Sequence, residues 1–504
     1  MTTTARTPAR LSLADRRARG SAARAATPPS SHAGWVPATE RPDPVALLEE
    51  QNRTRESDLV PVRYGRMVAS PFTFYRGAAK IMAADLAGTP TAGLTVQLCG
   101  DAHLSNFGGF ASPERRLMFD LNDFDETLTG PFEYDVKRLA ASVTIAARNN
   151  GLTKAQGTSV TRSAVRAYRE AMAQFAGMGT LDLWYAHLSE DDVRAAVARL
   201  VPAGKGENGS TTKKNQKAGK SDKSRKGASG KGLEAELSRA ARQSEKTIRK
   251  AHTRDSLQAL SKLGEIVDGR YRIVSQPPVL IPARELAANY GATVDQLEAA
   301  VFDQFRAYQP TLPAHLRRML ERFEIIDMAR KVVGVGSVGT RAFIVLLEGR
   351  DAQDPLFLQV KEATRSVLED HLPRSRYRNP GERVVQGQRL MQAAGDIFLG
   401  WTKGLESGRY YYWRQLRDMK GSALVDTMSE PVLEAYVRLC AWTLARAHAR
   451  SGDSVAIAEY LGEDDAFDRA IADFSRRYTE QNELDYQALR EAISGGRVPA
   501  VEGV

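Results

Sequence analysis

Apolar residues recur at two different spacings along the chain, and the change of spacing separates predicted strands from predicted helices. Short runs rich in apolar and β-branched residues, each ending at a glycine or a polar turn, predict buried strands. These runs lie at 94–99, 117–121, 330–335, 342–347, 356–360 and 409–416. Helical spacing covers 43–48, 77–86, 134–149, 154–175, 181–326, 382–394 and 430–493, interrupted by a Lys/Gly/Ser tract and by Pro277-Pro278.

These elements predict an α+β fold and divide the chain into five segments. Two lobes that contain the strands are expected at 43–180 and 321–420. A helical region at 181–320 separates them and carries a disordered Lys/Gly/Ser insertion at 203–232. A disordered arm at 1–42 precedes the first lobe, and extra helices at 421–504 follow the second.

The formal net charge of +10 comes from two low-complexity segments rather than from the predicted lobes. Residues 204–232 carry nine Lys or Arg against two acidic residues, and residues 1–35 carry six Arg against Asp15. Without these segments the remaining charge is near −2. Both segments are therefore predicted to be solvated disorder, and nucleic acid is not an expected partner beyond weak contact with them.

The number of cysteines and the length of the apolar runs indicate the cellular compartment of the protein. The two cysteines, Cys99 and Cys440, are too few for a disulfide framework and lack the spacing of a zinc site. No apolar run follows the N-terminal arginines as a targeting signal would require, and none reaches the length of a membrane helix. We therefore expect a cytoplasmic protein with no membrane partner.

A polar loop directly after the first predicted strand carries the clearest chemistry. Asp101 is followed five residues later by Asn106, the spacing of kinase catalytic loops. In those loops the Asp orients the acceptor hydroxyl and the Asn oxygen holds a metal ion. His103 makes the loop resemble that of aminoglycoside and choline kinases, with Cys99 in place of their first His. Whether His103 orients the loop or contacts phosphate is left open.

A second acidic group follows the next predicted strand. Asp123 is the preferred metal ligand, with Asp120 and Asp125 as competitors, because the kinases named above place a metal-binding Asp at the end of a strand. Asp135, twelve residues beyond Asp123, is expected to cap the Asp101 loop. An oxygen-rich set of this kind suits Mg²⁺.

The second lobe carries a glycine-rich sequence. Gly334, Gly336 and Gly339 match Gly-x-Gly-x-x-Gly, and the apolar run after them predicts a strand, whereas a dinucleotide-binding unit would have a helix there. Strand, glycine loop, strand, turn and a strand ending in Lys361 is the layout of a kinase nucleotide lobe. In that layout the backbone from Gly334 through Ser337 to Gly339 covers the phosphates of ATP, and Lys361 pairs with the α and β phosphates.

Two further parts complete this predicted nucleotide site. The acidic partner of Lys361 is expected on the following helix at Glu382, with Glu362 and Glu369 as alternatives. Adenine is expected to meet backbone at 413–417.

The two sets of motifs occur in the opposite order to that of ordinary kinases. The resemblance thus implies a protein-kinase-like, two-lobed fold that is circularly permuted, with the catalytic lobe before the nucleotide lobe. This interpretation requires Asp101, Asn106, Asp123 and Lys361 to converge on one cleft.

Several longer motifs resemble the bacterial family called domain of unknown function 2252. They are Arg66-Met67-x-x-Ser70-Pro71-Phe72-x-Phe74-x-Arg76-Gly77, Gly100-Asp101-Ala102-His103-Leu104-x-Asn106-Phe107-Gly108, Phe119-Asp120-x-Asn122-Asp123-Phe124-Asp125-Glu126, Gly387-Gln388-Arg389 and Asp396-Ile397-Phe398-Leu399-Gly400-Trp401. The resemblance spans about 47–486 and implies similarity to the protein-kinase-like superfamily, without a settled substrate. The Arg76 motif has no counterpart in ordinary kinases, and Arg76 either stabilises phosphate charge or packs with Phe72 and Phe74.

The expected activity is therefore ATP- and Mg²⁺-dependent phosphoryl transfer to a hydroxyl-bearing acceptor, with a small molecule favoured over a protein. Three alternatives remain at this stage. They are AMP transfer on the same fold, metal-dependent phosphoester hydrolysis by Asp101, His103, Asp120 and Asp123, and nucleotide sensing without catalysis.

Overall fold

A computed structural model gives the fold for most of the chain. It describes residues 11–199, 239, 242–243, 245–267, 269–287, 291–406, 408–416 and 419–503. The predicted insertion at 203–232 lies outside the described residues.

The N-terminal part is helical and packs on the C-terminal helices. Its helices are α1 Leu13–Ala26, α2 Pro44–Asn52, α3 Val60–Met67, α4 Pro71–Gly77 and α5 Ala79–Ala87. Arg16 Nε donates to Asp453 at 2.8 Å, and Arg24 donates to Asp464 at 2.6 Å. Residues 11–42 are thus folded, contrary to the predicted disorder, because arginines taken to be solvated have acidic partners far along the chain.

The first block of strands lies between helices. It comprises β1 Thr95–Leu98, β2 Phe107–Ala111, β3 Leu117–Leu121 and β4 Leu128–Pro131, followed by α6 Phe132–Asn149 and α7 Lys154–Ala176. β1 pairs with β4, and β2 pairs with β3, both antiparallel. The predicted first and second strands and both helices are confirmed. β2 and β4 are short strands containing glycines, which gave no strand signal.

The middle region is less helical than predicted. It contains α8 Thr180–Tyr185, β5 Leu188–Ser189, α9 Glu190–Ala198, α10 Ser256–Leu263, β6 Gly264–Val267, β7 Arg270–Ile273, β8 Leu280–Pro282, α11 Ala283–Leu286, α12 Val294–Tyr308 and α13 Ala314–Leu320. β6 and β7 form a hairpin, and β8 joins the edge of the large sheet.

The second block forms a six-stranded antiparallel sheet. Its further elements are β9 Glu324–Lys331, β10 Ala342–Glu348, β11 Pro355–Glu362, α14 Pro380–Met391, β12 Gly400–Lys403 and β13 Tyr410–Gln415. The strand order is β12-β13-β11-β10-β9-β8. The strand predicted at 330–335 lies instead at 324–331, because the apolar residues 332–335 leave the sheet and enter the glycine loop.

The C-terminal part closes the larger core. β14 Gly421–Ser422 pairs with β2 and is followed by α15 Glu430–Ser451, α16 Ser454–Leu461 and α17 Ala466–Ser494. One core lies among α6, α7, α15, α17 and β1, and a second lies between the large sheet and α12. The predicted α+β class is confirmed. No helix within the described ranges is long and apolar enough to span a bilayer.

Candidate functional site

The loop after β1, here called the acidic loop (residues 100–106), is held by the first turn of α6. Gly100 has φ +85°, and a Cβ there would lie 2.2 Å from the Glu126 carbonyl oxygen, so the position requires glycine. The Asp135 carboxylate accepts from the backbone N–H of Cys99 at 2.8 Å and of Gly100 at 3.0 Å. Asp135 is thus a cap of this loop, as predicted.

Asp101 carries the only carboxylate of the acidic loop. One oxygen accepts from Arg138 Nε at 2.8 Å, and the other lies 3.6 Å from His103 Nε2. Burial raises the pKa of Asp101 to about 6, Arg138 opposes the rise, and the charge of Asp123 adds to it. The Asp101 side chain is still 19 % exposed, so it remains accessible to a ligand.

Asn106 closes the acidic loop. Its Nδ2 donates to the Asp101 carbonyl at 2.8 Å, which leaves the amide oxygen for another partner. Its own carbonyl accepts from the backbone N–H of Asn122 at 2.8 Å. The acidic loop is thereby tied to the residues just before Asp123.

Residues 123–125, the Asp-Phe-Asp turn, follow β3. Phe124 is buried in the larger core, and the backbone N–H of Asp125 donates to Asp123 Oδ1 at 3.1 Å. The field of Asp123 acts on both Asp101 and Lys361. The charge of Asp123 thus reaches residues of both predicted halves of the site.

Asp120, the other predicted metal ligand near the end of β3, has protein partners. Both its carboxylate oxygens accept from Arg446 at 2.7 Å, and they also accept from the backbone N–H groups of Leu121 and Ala393 at 2.9 Å. The side chain is buried. Because these contacts use its oxygens, the predicted metal role of Asp120 is corrected to a structural one.

Residues 332–340, the glycine loop, connect β9 and β10 and rest on the N-terminal helices. Arg66 donates to the Gly334 carbonyl at 2.6 Å, Arg55 donates to the Val338 carbonyl, and the backbone N–H of Glu56 donates to the Gly339 carbonyl at 2.8 Å. Gly334 and Gly339 have φ of +68° and +87°. No sequence signal indicated this contact with α3 and the segment before it.

Lys361 joins the two halves of the site. It lies near the end of β11, and its Nζ donates to the Asp125 carboxylate and, at 2.9 Å, to Ser337 Oγ. Tyr412 OH donates to the other Asp125 oxygen at 2.8 Å. Burial acts to lower the pKa of Lys361, but the Asp125 carboxylate outweighs it and raises that pKa above its usual value. The glycine loop, β11, β13 and the Asp-Phe-Asp turn thus meet at one point.

The predicted acidic partner of Lys361 is wrong. Glu362 pairs with Arg409 at 2.8 Å and Glu369 pairs with Arg365 at 3.4 Å. Among the described contacts none links Glu382 to Lys361, and the carboxylate that does pair with it is that of Asp125. Asp125 had been considered only as a metal ligand.

The helix that follows β11 supplies a cation to the site rather than an acid. Arg383 on α14 donates to the carbonyls of Asp125 at 2.7 Å, Thr364 at 2.9 Å and Thr127 at 2.5 Å. Its position next to Glu382 was the only sequence clue. Arg138, the partner of Asp101, follows Asp135 by three residues and so faces the same loop from α6.

The strand predicted to meet adenine has polar contacts of its own. Arg414 donates to Gln359 Oε1 at 2.8 Å and to the Asn122 carbonyl at 3.3 Å. Trp413 points to the opposite side, stacked on Tyr308 at 4.7 Å. Residue 417, the end of the predicted adenine segment, lies outside the described residues.

The residues present suit a Mg²⁺ ion that is coordinated by one or two protein oxygens and otherwise by a bound ligand and water. Within the described ranges no three His, Cys, Asp or Glu side chains converge as a metal site. Asn106 Nδ2 is used by the Asp101 carbonyl, which leaves its amide oxygen available, and the Asp123 carboxylate acts electrostatically on Asp101. One or two protein oxygens with phosphate oxygens and water is the usual Mg²⁺ arrangement in phosphoryl-transfer sites.

Comparison with protein families agrees with the motifs. The family described as "Uncharacterized protein conserved in bacteria (DUF2252)" matches residues 55–234 and 213–492. The chain belongs to the DUF2252 family. This DUF2252 protein matched no curated protein and no solved structure. The resemblance drawn from the sequence motifs is thus confirmed at the level of the family.

Proposed function

We propose that this DUF2252 protein transfers the terminal phosphoryl group of ATP, with Mg²⁺, to a hydroxyl-bearing acceptor. The observation that carries the proposal is the contact of Lys361 with Asp125, since it joins segments 236 residues apart. A lysine on a strand after a glycine loop and an acidic turn next to an Asp-x-x-x-x-Asn loop are the parts of a phosphoryl-transfer site.

The sheet supports a permuted kinase-like arrangement. Lys361 lies on the third strand of the β9-β10-β11 meander, the glycine loop joins the first two strands, and α14 follows the third. A protein-kinase nucleotide lobe has this sequence of elements. Here it follows the acidic loop in the chain, so the two lobes are in reversed order.

Each residue of the site has a role in this proposal. Asp101 accepts the proton of the acceptor hydroxyl, whose oxygen bonds to the terminal phosphorus as the bond from that phosphorus to the ADP oxygen breaks. Asn106 and Asp123 would hold Mg²⁺, which neutralises phosphate charge when bound. His103 is buried beside Asp101, and burial, Arg76 and Arg138 hold its pKa well below the usual value, so it acts as a neutral residue that orients the acidic loop.

Lys361 and the glycine loop form the nucleotide side of the site. Ser337 Oγ contacts Lys361 Nζ at 2.9 Å, and Gly334, Gly336 and Gly339 lie in the same loop as Ser337. Lys361 would donate to the α and β phosphates. The expected cytoplasmic location and small-molecule acceptor belong to this proposal as well.

Two of the alternative activities, phosphoester hydrolysis and AMP transfer, agree with the contacts of the site residues to different extents. Hydrolysis by a cluster of Asp101, His103, Asp120 and Asp123 is disfavoured because the Asp120 carboxylate forms a buried ion pair with Arg446. AMP transfer uses the same residues, and its products distinguish it from phosphoryl transfer.

The proposal is tested by the products formed from ATP and Mg²⁺ with a panel of hydroxyl compounds. ADP and a phosphorylated acceptor are expected, and Asp101→Asn should lower their formation by about 10²-fold or more. Pyrophosphate with an adenylated acceptor would identify AMP transfer instead. If wild type binds the nucleotide but forms neither a phosphorylated nor an adenylated acceptor with the panel, nucleotide sensing without catalysis would be favoured.

A further inference from the structure

The C-terminal end of α4 lies between the glycine loop and the acidic loop. A Cβ added to Gly336 would lie 3.0 Å from the Arg76 carbonyl oxygen, so the glycine loop touches the backbone of Arg76. On the other side, Arg138 donates to the Tyr75 carbonyl at 2.8 Å while it also pairs with Asp101. The backbone of Arg76 is therefore positioned between the glycine loop and Arg138, the partner of Asp101.

Four other cations near this gap have partners among the described residues. Arg138 pairs with Asp101, Lys361 pairs with Asp125, and Arg66 and Arg55 donate to carbonyls of the glycine loop. Their charges are committed to protein oxygens.

Arg76 differs from these cations. Its Nε is buried without a hydrogen-bond partner, and no described carboxylate lies within ion-pair distance of its guanidinium. Burial lowers the pKa of Arg76, and the charges of Asp426 and Asp101 oppose that change. The adjacent His103 Nδ1 is also buried without a described partner. A half-buried guanidinium left without an anion is costly to the fold, and it indicates a ligand that carries the anion.

We propose that Arg76 binds the terminal phosphoryl group of the nucleotide, in the space between Gly336 and Asp101. This inference rests on the proposed function. An arginine supplied from the same chain offers a planar set of donors to phosphoryl oxygens and stabilises the charge of the group during transfer. The segment that carries Arg76 is the one with no counterpart in ordinary kinases, so this chain supplies that charge from its own N-terminal helices.

The inference predicts a defect confined to the terminal phosphate. Binding of Mg²⁺–ADP and of a non-hydrolysable Mg²⁺–ATP analogue is measured by calorimetry for wild type, Arg76→Ala and Arg76→Lys. Wild type should prefer the triphosphate, and Arg76→Ala should weaken triphosphate binding by about ten- to a hundredfold while ADP binding stays within about threefold. Arg76→Lys should recover part of the lost affinity for the triphosphate, because lysine keeps the positive charge but lacks the planar set of donors of a guanidinium.

The control is Arg148→Ala on α6, which removes an exposed arginine that pairs with Glu480. It should leave both affinities unchanged. Circular dichroism checks the fold of each variant, and Arg76→Gln replaces Arg76→Ala if the latter is unfolded.

The possible results separate this inference from the proposed function. If wild type prefers the triphosphate and the Arg76 variant keeps that preference, or loses both ligands equally, the role of Arg76 is overturned and the proposed function stands. If wild type binds neither nucleotide, both are overturned.

Discussion

The two sides of the candidate site are built in different ways. The acidic loop is fixed by α6, through Asp135 and Arg138, which lie 35 to 37 residues further along the chain. The glycine loop is fixed by partners more than 200 residues away, including Arg66 and Asp125. The acidic loop is thus held mainly by the helix that follows it, with a further contact from Tyr436 OH to the Leu104 carbonyl at 2.9 Å, whereas the glycine loop depends chiefly on how distant segments dock. The glycine loop is therefore expected to be more sensitive than the acidic loop to substitutions far away in the chain.

Two aspartates near the end of β3 should differ in their effects, because Asp120 is held by Arg446 whereas Asp123 is proposed to bind Mg²⁺. Asp120→Ala leaves Arg446 buried without its carboxylate, so it should lower the free energy of unfolding by about 3–5 kcal/mol. Asp123→Ala should change it by less than about 1 kcal/mol and instead remove the Mg²⁺ dependence of nucleotide binding. Urea denaturation of both variants measures the difference, and equal losses of stability would contradict the assignment.

The long-range side should depend on the pair of Lys361 and Asp125. A double-mutant cycle with Lys361→Met and Asp125→Asn should give a coupling free energy of about 1–3 kcal/mol, because the lysine is buried. The matched exposed pair, Arg148 and Glu480, should give about 0.2–1 kcal/mol. A coupling for the buried pair no larger than that of the exposed pair would mean that the two halves are not held together here.

The N-terminal segment is a second region held by distant partners, and a histidine makes its docking sensitive to pH. His32 is buried with Nε2 2.7 Å from Tyr460 OH, and burial, assisted by Lys137, lowers its pKa from 6.5 to about 3. The unfolded chain takes up a proton at His32 below about pH 6.5 while the folded one stays neutral, so stability is lost as the pH falls.

The expected loss between pH 7 and pH 5.5 is about 1 kcal/mol. Urea denaturation at the two pH values, compared with His32→Phe, measures it. The variant should have a smaller pH dependence in this window, and an unchanged dependence would assign the effect to other groups.

The smallest effect on nucleotide affinity is expected for Glu382, the residue first predicted to pair with Lys361. Glu382→Ala should leave nucleotide affinity within about twofold of wild type, because Asp125 provides the carboxylate. Arg383→Ala, one position further, should weaken it, since three carbonyls around the Asp-Phe-Asp turn lose their donor. Calorimetry with Mg²⁺–ATP compares the two, and a large defect for Glu382→Ala alone would reinstate the original assignment.

Sequence reasoning succeeded where the determining contacts are local. The strand that ends in Lys361 and the loop from Asp101 to Asn106 were predicted because strand periodicity and loop spacing are read within a few residues. The cap at Asp135 followed from its place at the start of α6.

It failed where a side chain is defined by a distant partner. The partner of Lys361 is 236 residues away, and Asp120 is bound by Arg446, so neither pairing leaves a local signal. The arginines of the N-terminal arm suggested disorder for the same reason, since Asp453 and Asp464 lie at the other end of the chain.

The central claim is that Asp123 and Lys361 belong to one nucleotide site. It is tested most directly by the thermal stabilisation of wild type, Asp123→Asn and Lys361→Met by ATP with and without Mg²⁺. We predict that ATP stabilises wild type only with Mg²⁺, by about 2.7 kcal/mol at a hundred times its Kd, and that both variants lose this stabilisation. Failure of millimolar Mg²⁺–ATP to stabilise wild type, or full stabilisation of either variant, would contradict the claim.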